Sequence, residues 1–152
     1  DVTFGFNNTF NYKGFDLSVF LYARLGQWIA YDYNTTYRIN ALENGGNVDY
    51  WTPENPTNAF PCPNKSKSYT QVTYYSTLKY EDGSFFKIRD ITLGYTFKPE
   101  LLKHLNLSKL RVYATAKNFF TFSKIDNYDP EQGGSISFPM TKQLVFGLNV
   151  EF

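Results

Sequence analysis

Residues for covalent chemistry are scarce in this sequence of 152 residues, which contains one cysteine and one histidine. The single Cys62 has no partner for an internal disulfide bond. His104 is the only imidazole and falls in a short connection between strands, where neither a Ser-His-Asp nor a Cys-His nucleophile is plausible. We therefore expect that the chain is not an enzyme and uses no cofactor.

Excess charge and long apolar runs are also missing. Lys and Arg total 15 against 14 Asp and Glu, and this net charge of +1 gives no reason to expect a nucleic-acid partner. No apolar stretch approaches the roughly 18 residues that a transmembrane helix needs. Strands that cross a membrane stay possible, because only alternate residues face lipid and the mean hydropathy remains ordinary.

Metal and phosphate sites lack their usual spacing. Asp126, Asp129 and Glu131 form an acidic cluster, but they do not follow the ligand spacing of an EF-hand. The glycine pairs that begin at Gly45 and Gly133 lack the spacing of a phosphate-binding loop. We expect no metal site.

Aromatic residues, by contrast, make up 20% of the chain, and many of them recur with period two. This alternation predicts an all-β fold of five antiparallel strands, at about residues 2–12, 15–25, 85–97, 110–122 and 144–152. One face of each strand is apolar, and none of these five faces carries Asp, Glu, Lys or Arg. The phase of the third strand inverts before Asp90, which predicts either a β-bulge or emergence of the strand from its apolar surroundings.

The connections between the predicted strands differ strongly in length. Lys13 and Gly14 form a tight hairpin turn, whereas a long loop at 26–84 follows the second strand. In the next connection, Pro99 suits the start of a short helical turn and Asn106 its end. Short turns on one side and long loops on the other are typical of outer-membrane barrels, in which the short turns face the periplasm.

Two architectures fit this pattern. The predicted strands are mostly of about 10 to 13 residues, longer than the usual globular strand of about 5 to 6 and close to the roughly 9 to 11 that cross a bilayer. Their length favours transmembrane strands with long extracellular loops. The alternative is a soluble or cell-surface β-sandwich that binds glycan through its aromatic loop.

Several longer stretches resemble one family of membrane proteins. The segments "EDGSFFKIRDITLGYTF", "LSKLRVYATAKNFFTFSKIDNYDPE", "YWTPENPTNAFP" and "FGLNVEF" are similar to the C-terminal region of SusC/RagA-type TonB-linked outer-membrane transporters. The resemblance runs in order along the whole chain. It implies that the chain forms the last five strands of a 22-stranded barrel in the bacterial outer membrane.

The resemblance also implies a function and partners. In that family a SusD-type surface lipoprotein caps the barrel as a lid, and TonB energises the import of glycans or peptides. TonB would act through the N-terminal part that carries the plug, which has no counterpart in these residues. The expected partners are therefore the rest of the barrel and its plug, the lid lipoprotein, TonB, membrane lipid and a glycan or peptide substrate.

Aromatic residues of the loops are candidates for contact with the substrate or the lid. They are Trp28, Tyr50 and Trp51 in the long loop and Tyr128 in the connection that precedes the last strand. Aromatic faces beside amides and carboxylates suit sugar or peptide binding. The alternative is that such rings form a local core or pack on the lipoprotein.

The last residues resemble the C-terminal assembly signal of outer-membrane proteins, which consists of a glycine followed by alternating apolar or aromatic positions. Gly147, Val150 and Phe152 match this signal, although Val150 replaces a more usual aromatic residue. Phe152 also suits the aromatic girdle at a membrane interface.

The alternation further predicts which strand faces meet lipid. The apolar faces are expected to contact lipid, and the opposite faces, with Arg111, Lys117, Asn149 and Glu151, the lumen of the barrel. Five strands are too few to close a barrel of this class, because single-chain bacterial barrels have at least eight. We expect strands outside these residues to pair with both edges of the sheet.

Overall fold

The computed structural model contains seven strands and describes residues 1–31, 33–34, 47–66, 75–135, 137 and 139–152. In chain order the strands are β1 (Val2–Tyr12), β2 (Phe15–Leu25), β3 (Trp28–Ala30), β4 (Tyr80–Asp82), β5 (Phe85–Thr96), β6 (Lys109–Ser123) and β7 (Gln143–Glu151). The five long strands confirm the predicted ones, with bounds that differ by one residue at the ends of β5, β6 and β7.

The chain divides into two compact units. The sheet unit comprises Asp1–Leu25, Phe85–Ser123 and Met140–Phe152, and the loop unit comprises Gly26–Ser84 and Lys124–Pro139. The loop predicted at 26–84 includes residues 35–46 and 67–74, which lie outside the described residues.

The sheet unit is a single antiparallel sheet in the order β1-β2-β5-β6-β7. Among the described residues, β1 and β7 each pair with one neighbour and do not pair with each other. The five strands therefore form an open sheet, as predicted from their number.

The short connections of the sheet confirm the turn chemistry predicted from the sequence. Lys13 and Gly14 have φ values of 48° and 90°, the left-handed conformation that a two-residue hairpin turn requires. A helical turn, α1, spans Pro99–Leu102 and continues as a 3₁₀ turn over Lys103–Leu105. It ends at Asn106, which adopts a left-handed conformation with φ of 52°.

The register of the sheet places all five apolar strand faces on one side. Phe6 pairs with Leu21, Leu21 with Ile88, and Ile88 with Phe120. The predicted bulge is present, because the register shifts at Phe20/Leu21 and at Ile88/Asp90. These shifts keep the apolar residues on the same face although their parity in β5 changes.

The loop unit has a small core of its own. β3 and β4 form a two-stranded ladder. Ile29 of β3 is buried in one cluster with Tyr31 and Ile125. Two 3₁₀ turns, Tyr75–Lys79 and Pro130–Gln132, belong to the same unit. Among the described residues, no helix is long and apolar enough to span a membrane.

The sandwich alternative does not match this structure. A sandwich buries the apolar face of each sheet against a second sheet. Here the only other sheet in the described part of the chain is the ladder of three-residue strands β3 and β4. The apolar face of the five-stranded sheet remains exposed, with Phe6, Phe10 and Phe146 among its exposed residues.

Candidate functional site: the two faces of the sheet and the aromatic loop unit

The apolar face of the sheet carries large side chains that would be unfavourable in water. On β7, Phe146 and Leu148 are 78% and 68% exposed, and Phe152 just beyond it is 95% exposed. Other exposed members are Val2, Phe4, Phe6, Phe10, Tyr12, Phe15, Leu25, Phe86, Leu93, Phe120, Phe122, Leu144 and Val150. Soluble monomers rarely expose an apolar patch of more than a few hundred Å². This face is therefore suited to a hydrocarbon environment.

The opposite, polar face is held by an ion pair that crosses a strand. The Arg111 guanidinium of β6 donates to the Asp16 carboxylate of β2, with Nε–Oδ1 at 2.9 Å and Nη2–Oδ2 at 2.5 Å. Between them lies Gly94 of β5, where an added Cβ would lie 2.5 Å from both side chains. The glycine thus leaves the space through which the pair forms a bidentate contact.

Further polar pairs continue across this face. The Thr92 and Thr115 hydroxyls are 2.8 Å apart, and the Lys109 ammonium donates to Glu151 at 3.0 Å. Sequence reasoning placed such residues on the polar face but missed these partners, because partners in neighbouring strands depend on the register. Only the alternation of polar residues pointed to them.

Gly147, predicted as part of the assembly signal, also has a packing role. The Tyr113 ring of β6 lies directly over it, and a Cβ at Gly147 would overlap the ring. Such cover of a strand glycine by a cross-strand aromatic ring is a known device for stabilising sheets.

The last two residues are bonded to the start of β6. The Glu151 carbonyl accepts a hydrogen bond from the Ser108 N–H at 2.8 Å, and the Phe152 carbonyl accepts one from the Ser108 hydroxyl at 3.2 Å.

Tyr128, one of the predicted contact residues, packs in the loop-unit core. Its ring centroid lies 5.9 Å from the ring centroid of Tyr31 and 6.4 Å from that of Tyr33. Burial raises the pKa of the Tyr31 hydroxyl above its usual value. The half-buried Tyr128 therefore fits the alternative in which loop aromatics form a local core.

Tyr50 and Trp51 are held differently, in an ordered turn that leaves their rings accessible. The Trp51 N–H donates to the Phe60 carbonyl at 2.9 Å, and the Asn55 amide donates to the Asp49 carboxylate at 2.7 Å. Tyr50 and Trp51 remain 40% and 44% exposed. Both residues thus lie in a hydrogen-bonded turn, with side chains that the described part of the chain leaves partly exposed.

Trp28, the fourth predicted contact residue, lies on β3 and is 72% exposed. The structure therefore brings Tyr50 and Trp51 together in one turn but places Tyr128 in the core cluster. In the described part of the loop unit, the ring contacts of Tyr128 are with Tyr31 and Tyr33, so the four residues form no single cluster.

Charged groups of the loop unit form local contacts. Asp82 accepts hydrogen bonds from the Ser84 N–H at 3.0 Å and the Lys124 ammonium at 2.9 Å. Hydrogen bonds from the Ser84 side chain, Lys124 and the Ser84 backbone lower the pKa of Asp82 to about 2. Across the described residues, no group of three or more His, Cys, Asp or Glu side chains is placed to hold a metal ion.

The curated proteins described below that resemble this chain are both TonB-dependent receptors. No family model matches the chain. The TonB-dependent receptor SusC of Bacteroides thetaiotaomicron is 30% identical over the whole chain, which covers 15% of that protein. A TonB-dependent receptor of Formosa agariphila is 28% identical over the whole chain, which covers 16% of it.

Solved structures lead to the same group. The RagAB peptide importer in its "closed-closed" state aligns with a TM-score of 0.77 at 26% identity, over 99% of this chain and 17% of that one. The "open-open" state aligns with a TM-score of 0.71 at 28% identity. The chain thus spans only a small part of the length of these relatives. In sequence and in fold, the whole chain is similar to one part of the SusC/RagA-type TonB-dependent receptors.

Proposed function

We propose that the chain is the C-terminal wall segment of a TonB-dependent outer-membrane importer and supplies five of its 22 transmembrane strands. The observation that carries this proposal is the continuous apolar face shared by all five strands, opposite a polar face joined by ion pairs. In a barrel wall the first face contacts lipid and the second faces the lumen. The unpaired edges of β1 and β7 then pair with the remaining strands, because unpaired backbone groups in lipid cost several kcal/mol each.

The transported substrate is a glycan or a peptide, and the importer works with a SusD-type lid lipoprotein. The similarity to SusC and to the RagAB peptide importer supports this assignment. TonB acts through the N-terminal, plug-bearing part of the receptor.

The loop unit lies on the extracellular side, where Tyr50 and Trp51 contact the lid or the substrate. Their exposure in a hydrogen-bonded turn supports this role, and the exposed Trp28 is a further contact candidate. Tyr128 contributes through the core that holds the unit together.

The first experiment tests membrane location and the lid together. The full receptor that contains this segment is tagged and purified from detergent-solubilised outer membranes. We expect it to require detergent and to co-purify with a SusD-type lipoprotein. Replacing Tyr50 and Trp51 together with alanine should reduce the recovered lipoprotein, whereas the exposed Tyr80→Ala serves as a matched control. Recovery of the receptor in the soluble fraction without detergent would refute the proposal.

A second experiment tests the assembly signal, which we assign to Gly147, Val150 and Phe152. Removing Phe152 should lower the amount of receptor inserted in the outer membrane more than it lowers the stability of receptor already inserted. Quantitative blotting of outer membranes measures the first effect, and unfolding of purified receptor measures the second. Unchanged outer-membrane levels would rule out this role.

A further inference from the structure

The apolar face of the sheet is not uniform, because it contains a groove over β6. The groove has a volume of about 280 Å³. The side chains on the apolar face that form it are Phe15, Leu93, Tyr95, Val112, Ala114 and Phe146. This volume lies just below the roughly 300–1,000 Å³ range of small-molecule sites. We call it the β6 groove.

The shape of the β6 groove follows from side-chain size. Ala114 is small, and its neighbours across the sheet are Leu93 on β5 and Phe146 on β7. Phe15 and Tyr95, which also line the groove, form a ring pair with centroids 4.6 Å apart. Large rings thus flank an alanine floor, which leaves a channel lined by hydrocarbon and aromatic carbon.

A positive charge lies at the end of this groove. Phe15 follows the hairpin turn directly, and Lys13 of that turn has its ammonium 5.1 Å from the centroid of the Tyr12 ring. Tyr12 is an exposed member of the apolar face and pairs with Phe15. The Lys13 ammonium therefore lies on the apolar side of the sheet, over the residue that pairs with Phe15 of the groove.

The adjoining connection, which contains further charged residues, lies against the hairpin turn. The Thr96 N–H donates to the Gly14 carbonyl at 2.7 Å, so the end of β5 lies against the hairpin turn. Lys98 and Lys103 follow in the connection that begins there, together with Glu100. An ammonium group next to an apolar channel matches the chemistry of a phospholipid, which has an anionic phosphate above its acyl chains.

We propose that the β6 groove binds one acyl chain of a phospholipid from the leaflet at the short-turn end, with the lipid phosphate beside Lys13. This inference rests on the proposed function, because the groove meets lipid only if the apolar face lies in a membrane. The ring pair of Phe15 and Tyr95 lies at the level where interfacial aromatics anchor a barrel. The bound acyl chain fills the space above Ala114, which makes the lipid-facing surface of the sheet even.

The test uses the full receptor purified from outer membranes, stripped of lipid and followed by native mass spectrometry. It is titrated with palmitoyl-oleoyl phosphatidylglycerol and, separately, with palmitoyl-oleoyl glycerol, which has the same chains but no phosphate. Ala114→Phe fills the groove, and Lys13→Gln removes the charge. Ala23→Phe is the matched control, because it is the same substitution on the same face of the sheet outside the groove lining.

We expect one tightly bound phosphatidylglycerol per receptor. Ala114→Phe should weaken both ligands by at least about tenfold. Lys13→Gln should weaken only the phosphatidylglycerol, by about fivefold. Ala23→Phe should change neither affinity.

Unchanged phosphatidylglycerol affinity in Lys13→Gln and in Ala114→Phe would overturn the proposal. If Ala114→Phe fails to reach the membrane, the phosphatidylglycerol affinity of Lys13→Gln alone decides the test, because this variant alters only an exposed turn. Crosslinking of two receptors through Ala114→Cys, in a Cys62→Ser background, would assign the groove to contact between copies and also overturn it. Failure of the proposed function is distinguishable, because the receptor would then be absent from the membrane fraction.

Discussion

The sheet unit and the loop unit of this chain place their apolar residues in opposite ways. The sheet unit directs Phe146, Leu148 and similar side chains outward and holds its polar pairs, such as Asp16 with Arg111, on the other face. The loop unit buries Ile29 and Ile125 in a core, as a soluble domain does. The difference agrees with the proposed function, in which hydrocarbon surrounds the sheet and water surrounds the loops.

Reversing the character of the apolar face should have the largest effect. Leu148→Arg places a charge on this face of β7 and should destabilise the receptor by about 2 to 4 kcal/mol if the residue lies near the bilayer midplane. Equilibrium unfolding of the receptor in lipid vesicles measures this cost. Asn149→Arg, one residue away on the polar face, is the control and should cost much less. Equal costs for the two variants would contradict the assignment of the faces.

Closing the space at Gly94 should be the next largest effect. A Cβ there would lie 2.5 Å from the ends of the Arg111 and Asp16 side chains, so Gly94→Ala should displace them and break the ion pair. The loss of these charge-assisted hydrogen bonds should cost about 1 to 3 kcal/mol. Gly5→Ala is the control, because its Cβ would meet only the Phe20 ring at an ordinary 3.5 Å. Unfolding in vesicles should separate the two variants, and a neutral Gly94→Ala would show that the pair does not hold the polar face.

Removing a buried amide should affect the loop unit alone. The Gln27 side chain is buried and donates to the Gly83 carbonyl at 2.5 Å and to the Pro130 carbonyl at 3.2 Å. Gln27→Ala leaves both acceptors without this donor and should cost about 1 to 2 kcal/mol. Limited proteolysis should then cut the loops faster, while the thermal unfolding of the barrel stays unchanged. Faster proteolysis is not expected for the exposed Gln132→Ala. Loss of barrel stability in Gln27→Ala would show that the effect is not confined to the loop unit.

Lowering the pH should have the smallest effect on the stability of the loop unit. The folded-state pKa of Asp82 is about 2, below its ordinary value of 3.8, so ionised Asp82 stabilises the loop unit above pH 4. This contribution should be lost as the pH falls from about 4 to about 2. Proteolysis with an acid-active protease, or hydrogen exchange, should show a pH dependence in this window that Asp82→Asn reduces. An identical pH profile in the variant would exclude Asp82 as its source.

The sheet unit was predictable to within one residue at each strand end, because alternation, turn residues and strand length all agree there. Lys13, Gly14, Pro99 and Asn106 each have the conformation that their local sequence predicts. The contacts of the sheet were not predictable in the same way. The ion pair across Gly94 depends on the register of three strands, and the register includes bulges whose offsets a single sequence does not define.

The loop unit was less predictable than the sheet. Aromatic residues there have no regular spacing, so composition does not separate a core ring from an exposed one. The structure makes that separation, with Tyr128 in the core cluster and Trp51 exposed in a hydrogen-bonded turn. Long-range hydrogen bonds, such as the one from Gln27 to Pro130, provide no local sequence signal at all.

If the sheet is a membrane wall with a lipid face and a lumen face, spin labels along β7 should report the two environments in alternation. Single cysteines are placed at each position from 143 to 151 in the Cys62→Ser full receptor, labelled, and reconstituted in bilayers. Collision rates with oxygen, which concentrates in lipid, and with a water-soluble nickel complex are then measured. We expect high oxygen contact at Leu144, Phe146, Leu148 and Val150 and high nickel contact at the positions between them. Nickel contact at both sets of positions, or the opposite alternation, would contradict this expectation.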